Sequence, residues 1–156
     1  MPIDIYEKIP FEDGNVDDSI ALDHLCREKG RFKTLSSAGQ EVRVFLERGS
    51  VLEAGQLLKS HCGKIIRVDC APESVTRASA PDWPAFTRAC YHLGNRHVRV
   101  QIGDLWLHML PDHVLEDMLH SFGLHISHHH AVFVPERGAY SGHNHVHNQH
   151  DHRHQD

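Results

Sequence analysis

The chain contains no G-x-x-x-x-G-K-[ST] phosphate loop, no H-E-x-x-H zinc motif and no G-x-S-x-G nucleophile elbow. Nucleotide hydrolysis by the chain alone is therefore not expected. No stretch approaches the about 18 apolar residues that a membrane-spanning helix needs. The opening segment MPIDIYEKIP has no basic region followed by an apolar one, so no secretion signal is expected. Cysteine is sparse: Cys26, Cys62, Cys70 and Cys90 stand apart and form no C-x-x-C pair. In a chain that is not secreted they read as reduced thiols, serving as small buried apolar side chains. These absences together point to the cytoplasm. Positive charge is short as well. The formal net charge is −5 with histidine neutral, which argues against a general nucleic-acid binder.

Histidine is what the chain has in excess, with 17 among 156 residues. These side chains titrate near neutrality, so below about pH 6 the protein becomes strongly positive, and metal binding should depend on pH. Hydrophobic residues make up 40% and charged residues 24%, enough for a folded core. The length suits one large domain or two small ones with a tail.

The first 70 residues show period-two patterning and little sign of helix. Ile3, Ile5 and Ile9 fall on one side of a short strand, and Ile20 and Leu22 alternate with polar neighbours. RFKTL and EVRVFL read as a hairpin with Gly39 in its turn. Gly49 and Gly55 mark further turns, KIIRVDC is the last strand, and HLCREKG has room for one helical turn. CAPES, with Pro72, reads as a linker. The period then changes. SVTRAS alternates like a strand. PDWPAFTRACYHLG reads as a helix with Asp82 as N-cap, Pro84 in its first turn, a stripe of Phe86, Ala89, Cys90 and Leu93, and Gly94 as its stop. HVRVQI and LWLHML flank Gly103-Asp104, which fits a two-residue type II′ loop. DHVLEDMLHSFG reads as a second helix, capped by Asp112, ended by Gly123, with Val114, Leu115, Met118, Leu119 and Phe122 on its apolar face. LHIS or AVFVP supplies a final strand. The expected class is α+β. Residues 1–71 form a small β-rich domain, residues 72–140 a ferredoxin-like βαββαβ domain, and residues 141–156 a disordered histidine-rich tail.

The tail carries His143, His145, His147, His150, His152 and His154, six of the last fourteen residues. Neutral imidazole is a borderline ligand for zinc, copper and nickel, so the tail is read as metal-binding. The interruptions by Asn, Val, Gln, Asp and Arg argue against a purification tag. A flexible tract imposes no fixed geometry and therefore selects poorly among these ions. His125 and the run His128–His130 lie either on a strand or in a polar turn. His108, Asp112 and His113 offer two imidazoles and a carboxylate close in sequence. They could hold a metal, or Asp112 could simply cap a helix with His113 exposed beside it. His97 follows the first helix, after His92 and Arg96. Chemistry alone gives it a bland role, because a helix C-terminus favours imidazolium over the neutral, metal-binding ring.

Four motifs in order resemble the UreE family of urease accessory metallochaperones. They are FLERGSVLEAGQLL, ACYHLGNRHVRVQI, DHVLEDMLHSFGL and FVPERGAY, followed by the histidine-rich end. The resemblance covers nearly the whole chain. It implies a cytoplasmic homodimer that binds nickel and delivers it to apo-urease together with the other accessory proteins, including the accessory GTPase UreG. It implies a peptide-binding type of N-terminal domain and a ferredoxin-like metal-binding domain. It also implies that His97, which ends the N-R-H motif, is the central nickel ligand at the dimer interface. The chain departs from the pattern where some members carry a His-x-His before the second helix: here Pro111 holds the first place and only His113 remains. The competing expectations are a metal-dependent hydrolase built on His108, Asp112 and His113 with a bound water, and a passive zinc, copper or nickel buffer acting through the tail.

Overall fold

The computed structural model describes residues 1–11 and 15–138. The tail histidines, and the disorder expected of residues 141–156, lie outside the described residues.

Alternation in the first part of the chain becomes a six-stranded sheet. Its strands are β1 (Ile3–Ile9), β2 (Asp18–Leu22), β3 (Arg31–Leu35), β4 (Glu41–Phe45), β5 (Leu57–Ser60) and β6 (Ile65–Cys70), in the order β2-β6-β5-β1-β4-β3. The period-two residues point inward, as a half-buried strand requires. Ile3, Ile5, Ile20, Leu22, Val42, Val44, Ile66 and Val68 are all buried in one cluster with Leu46, Leu52 and Leu58. β3 and β4 form the expected hairpin, and Gly39 takes φ 80° in its turn. β5 is a strand that the glycine-marked turns around it had obscured. HLCREKG does contain one helical turn, α1 (His24–Arg27), with the Asp23 side chain accepting from the Cys26 amide.

The second part runs β7 (Pro72–Ser79), α2 (Trp83–Asn95), β8 (Gln101–Ile102), β9 (Trp106–Met109), α3 (His113–Ser121) and β10 (His125–Val132). These strands make a four-stranded sheet in the order β10-β7-β9-β8, with every neighbouring pair antiparallel. Ala78, Leu107 and Met109 pack from the sheet against Ala85, Phe86, Ala89 and Leu93 of α2 and Leu119 of α3. Both helices therefore cover the same face. The protein is a β-rich N-terminal domain followed by a mixed α+β domain.

Four expectations need correction. CAPES is not a linker: β6 ends at Cys70 and β7 begins at Pro72, and the Ala71 amide between them is held by the Leu22 carbonyl at 2.9 Å. Proline is tolerated there because it opens the strand. The β8–β9 loop is displaced by one residue. Gly103 donates its amide to the Trp106 carbonyl at 2.9 Å, so Asp104 and Leu105 form the tip, and Leu105 rather than Gly103 has positive φ. Gly103 is needed for space instead, because a Cβ there would lie 2.1 Å from the Trp106 indole. Val114 is not on the buried face of α3 but 64% exposed. Cys62 is exposed in the β5–β6 turn, whereas Cys26 and Cys90 pack against the two cores.

The two domains are bolted together through α1. Glu73 on β7 accepts two bonds from His24, one from ring Nδ1 at 2.7 Å and one from the backbone amide at 3.0 Å. The His24 ring sits edge-on to Phe133, with centroids 4.9 Å apart. Arg27, also buried, donates to the carbonyls of Leu22 at 2.7 Å and Phe133 at 2.5 Å. Ion pairs Arg99–Glu28 and Arg137–Glu53 span the same junction at the surface. The exposed pairs add little, so the buried polar groups dominate. Glu73→Ala, which strands the buried His24 donors, should cost about 1–3 kcal/mol in urea unfolding. Glu73→Gln retains an acceptor oxygen and should cost less, and equal losses would show that His24 does not depend on that acceptor.

Candidate metal centre

His97 is placed by the way α2 ends. The Asp82 side chain accepts from the Ala85 amide at 2.8 Å and starts the helix as the sequence suggests. The helix does not stop at Gly94. It runs through Gly94 to Asn95, with Arg96 as its cap. The closing bonds are Val98 amide to Leu93 carbonyl and His97 amide to Gly94 carbonyl, both 3.0 Å. This is a Schellman closure, in which the residue after the cap adopts a left-handed backbone and the next one folds back onto the helix. Val98, whose amide closes on the Leu93 carbonyl, packs against the core that contains Leu93, and the helix ends there and not at the glycine. His97 therefore takes the left-handed position, at φ 56°.

α3 ends with the same hydrogen bonds. The Leu124 amide reaches the Leu119 carbonyl at 3.1 Å and the Gly123 amide reaches the His120 carbonyl at 2.9 Å. There the left-handed residue is Gly123, at φ 88°, as is usual for this cap. A residue with a Cβ loses roughly 1 kcal/mol in that conformation. The domain thus uses glycine at one closure and bears the cost of histidine at the other.

The side chain gained at that cost is unengaged. His97 is exposed, and its imidazole makes no hydrogen bond to any described residue. Its neighbours are drawn away from it. Arg96 Nη1 folds back to the His92 carbonyl at 3.1 Å, and the half-buried His92 ring packs on Phe122 at 5.0 Å. One free imidazole per chain is a single donor, too few to hold an ion alone.

The other histidines do not assemble a site. His108 is buried at 8% exposure, packed on Trp106 with ring centroids 4.6 Å apart, and its Nδ1 has no partner among the described residues. Burial foremost, then the charges of Arg77 and His129, push its pKa down, which favours the neutral ring. Asp112 is committed to capping α3, accepting from the Val114 and Leu115 amides at 3.0 and 3.1 Å. His113 is exposed at the first position of that helix. No three or more of the described His, Cys, Asp and Glu side chains are grouped to hold a metal. The proposed water-activating trio of His108, Asp112 and His113 is thus absent as a geometric unit. The run His128–His130 lies on strand β10, not in a turn. His128 pairs with Glu116 at 3.0 Å, Glu116 also accepts from the Thr76 hydroxyl at 2.5 Å, and His129 bonds Ser127 at 2.8 Å. The pairs His128–Glu116, Thr76–Glu116 and His24–Glu73 carried no signal in the sequence, because each joins a helix to a strand that only the fold brings beside it.

The left-handed cap gives a direct test. His97→Gly should stabilise the fold by up to about 1 kcal/mol, and Gly123→Ala should destabilise it by a similar amount. Urea unfolding at neutral pH measures both; destabilisation by His97→Gly would mean that the ring makes contacts within its own chain.

Comparison with known proteins covers both domains. The family model described as the UreE urease accessory protein N-terminal domain matches residues 5–71, and that of the C-terminal domain matches residues 73–156. The urease accessory protein UreE of a Marinomonas species is 54% identical over 145 residues, spanning 92% of this chain and 99% of that protein. Its counterpart from Alteromonas mediterranea is 50% identical over 142 residues, covering 90% and 92% of the two chains. That of Psychromonas ingrahamii is 42% identical over 149 residues, covering 93% and 98%. With both of its domains matched in order and relatives this similar along their whole length, the chain belongs to the UreE family of urease accessory proteins.

Proposed function

We propose that this protein is a nickel metallochaperone that supplies nickel to apo-urease while the urease metallocentre is assembled. The observation that carries the reading is His97: an exposed, unpartnered imidazole held in a costly left-handed backbone where glycine would be cheaper. A single ligand per chain makes sense if a two-fold axis pairs it with its equivalent in a homodimer. Two imidazoles leave most of the nickel shell open. The tail histidines, His143, His145, His147, His150, His152 and His154, then add and release ligands. A carrier needs that looseness, whereas an enzyme's metal is fixed by hydrogen bonds behind its ligands. His97 has no such bond, which favours carriage over catalysis. The same donors accept zinc or copper, so preference for nickel has to come from the geometry of the assembled site.

The second domain serves this role as a ferredoxin-like scaffold. The strand order β10-β7-β9-β8, with both helices on one face, supports that description. The handover is to urease in concert with the accessory GTPase UreG, in the cytoplasm. No described helix is long and apolar enough to cross a membrane. The net charge of −5 gives no support to a nucleic-acid partner. The hydrolase built on His108, Asp112 and His113 has no geometry behind it.

His97→Ala should remove both interfacial ligands at once. It should abolish one nickel per dimer in calorimetry and severely impair urease activation at limiting nickel. Deleting residues 141–156 should lower nickel stoichiometry but leave the interfacial ion and much of the activation. Normal activation by His97→Ala beside failure of the truncation would make the tail the functional site.

All-imidazole ligation also predicts a pH response. Imidazole binds metal only when neutral, and its free pKa is about 6.5. Nickel affinity should fall steeply from roughly pH 7 to pH 5, since several protons compete for one ion. A flat titration across that range would point to carboxylate or backbone ligands.

A further inference from the structure

The junction between the two domains holds an open cleft of about 630 Å³. That volume lies within the usual span of small-molecule sites, about 300–1,000 Å³. His24 and Arg27 of α1 line it, and the proposed metal centre uses neither. They are only 2% and 5% exposed. Both are fixed from behind, His24 Nδ1 by the Glu73 carboxylate and Arg27 Nη1 and Nη2 by the carbonyls of Leu22 and Phe133. Each keeps one polar atom unused: His24 Nε2 and Arg27 Nε bond to no described residue. Neither atom is sealed off, since His108 Nδ1 is the one buried, unpartnered side-chain N or O among the described residues. Their opening is onto the cleft.

The two unused atoms differ in kind. A carboxylate only accepts, so Nδ1 of His24 carries the proton and Nε2 of the neutral ring is an acceptor. Arg27 Nε is a charged donor. The residues are three apart on one helical turn, which sets their Cβ atoms about 5–6 Å apart on one face. The other arginines of the cleft are already paired, Arg99 with Glu28 and Arg137 with Glu53. Glu73 is bonded to His24, and Glu136, which also lines the cleft, is exposed to water. Arg27 is bonded to carbonyls alone, and a buried charge without a counter-ion is costly. A metal ion would be repelled by that charge, and a dianion would exceed it. A monocarboxylate matches it. The acceptor on His24 calls for a donor on the adjoining carbon of the ligand. A hydroxyl supplies one without charge, whereas an ammonium group would meet the Arg27 cation. Val51, Leu52, Val134 and Pro135 add apolar surface to the wall.

We propose that this cleft binds a small α-hydroxy monocarboxylic acid with an apolar body, its carboxylate on Arg27 and its hydroxyl donating to His24 Nε2. The test is calorimetry on the full chain with α-hydroxyisocaproate as the probe. The parent should bind it, and α-hydroxyisocaproamide, which lacks the charge, should bind roughly tenfold or more weakly. Isocaproate, without the hydroxyl, and leucine, with ammonium in its place, should also bind more weakly than the probe. Arg27→Gln should lose the probe. Ala54→Leu should lose it as well, because residue 54 lines the cleft, and its exposure leaves both cores untouched. That variant decides the matter if Arg27→Gln fails to fold. No binding by the parent at millimolar probe would overturn the assignment. So would an amide that binds as well as the acid, or an Ala54→Leu variant that binds like the parent.

Discussion

The functional reading depends on the closure of one helix. Val98 must fold back onto Leu93 to seal the end of α2, and this forces the residue between cap and seal into a left-handed backbone. That residue is His97. The conformation lifts its imidazole clear of the core and of every hydrogen-bond partner in the described chain. At α3 the same closure is made with Gly123, which shows what the fold would choose if stability were the only concern. Residues kept in sparsely populated conformations concentrate where a side chain has work to do. The cost at His97 is tolerable because the closure around it is held by two backbone bonds and by Val98 packing against the core.

The rest of the molecule supports that presentation at a distance. The four-stranded sheet and α3 share one core with α2, and a single residue separates the last strand of the N-terminal sheet from β7. The bolt is a single helical turn whose His24 and Arg27 are both buried. Their polar atoms are satisfied by Glu73 and by backbone carbonyls, so burial adds no stranded donor at those bonds. Nickel delivery, on the proposed reading, works from a firm body with loose ligands rather than from a hinged one.

The sequence displayed most of the elements, because alternation and helical stripes survive without any knowledge of partners. Ile3, Ile5, Val42 and Val44 could be placed on buried faces, and Asp82 and Asp112 could be recognised as caps, since each depends only on neighbours along the chain. Reading failed where the outcome depended on tertiary packing. Gly94 looked like a stop, but the helix ends where Val98 meets Leu93. Gly103 looked like a turn glycine, but it is there to admit the Trp106 ring. Pro72 looked like a linker, but it opens a strand paired with Val132. For the candidate site, chemistry alone left His97 with a bland role, and only the resemblance to a family singled it out. The structural reason, a left-handed histidine, is invisible in a string of letters. His108, Asp112 and His113 show the opposite error: closeness in sequence suggested a cluster that strand alternation and capping pull apart.

The central claim is that one nickel ion sits between two copies of His97. The most direct measurement is a crystal structure of the nickel-loaded full chain, with anomalous scattering recorded on either side of the nickel edge. The account predicts a nickel peak on a two-fold axis, with a His97 imidazole from each chain as ligand. Nickel bound to His108 or His113, or only to the tail while the His97 rings point apart into solvent, would contradict it.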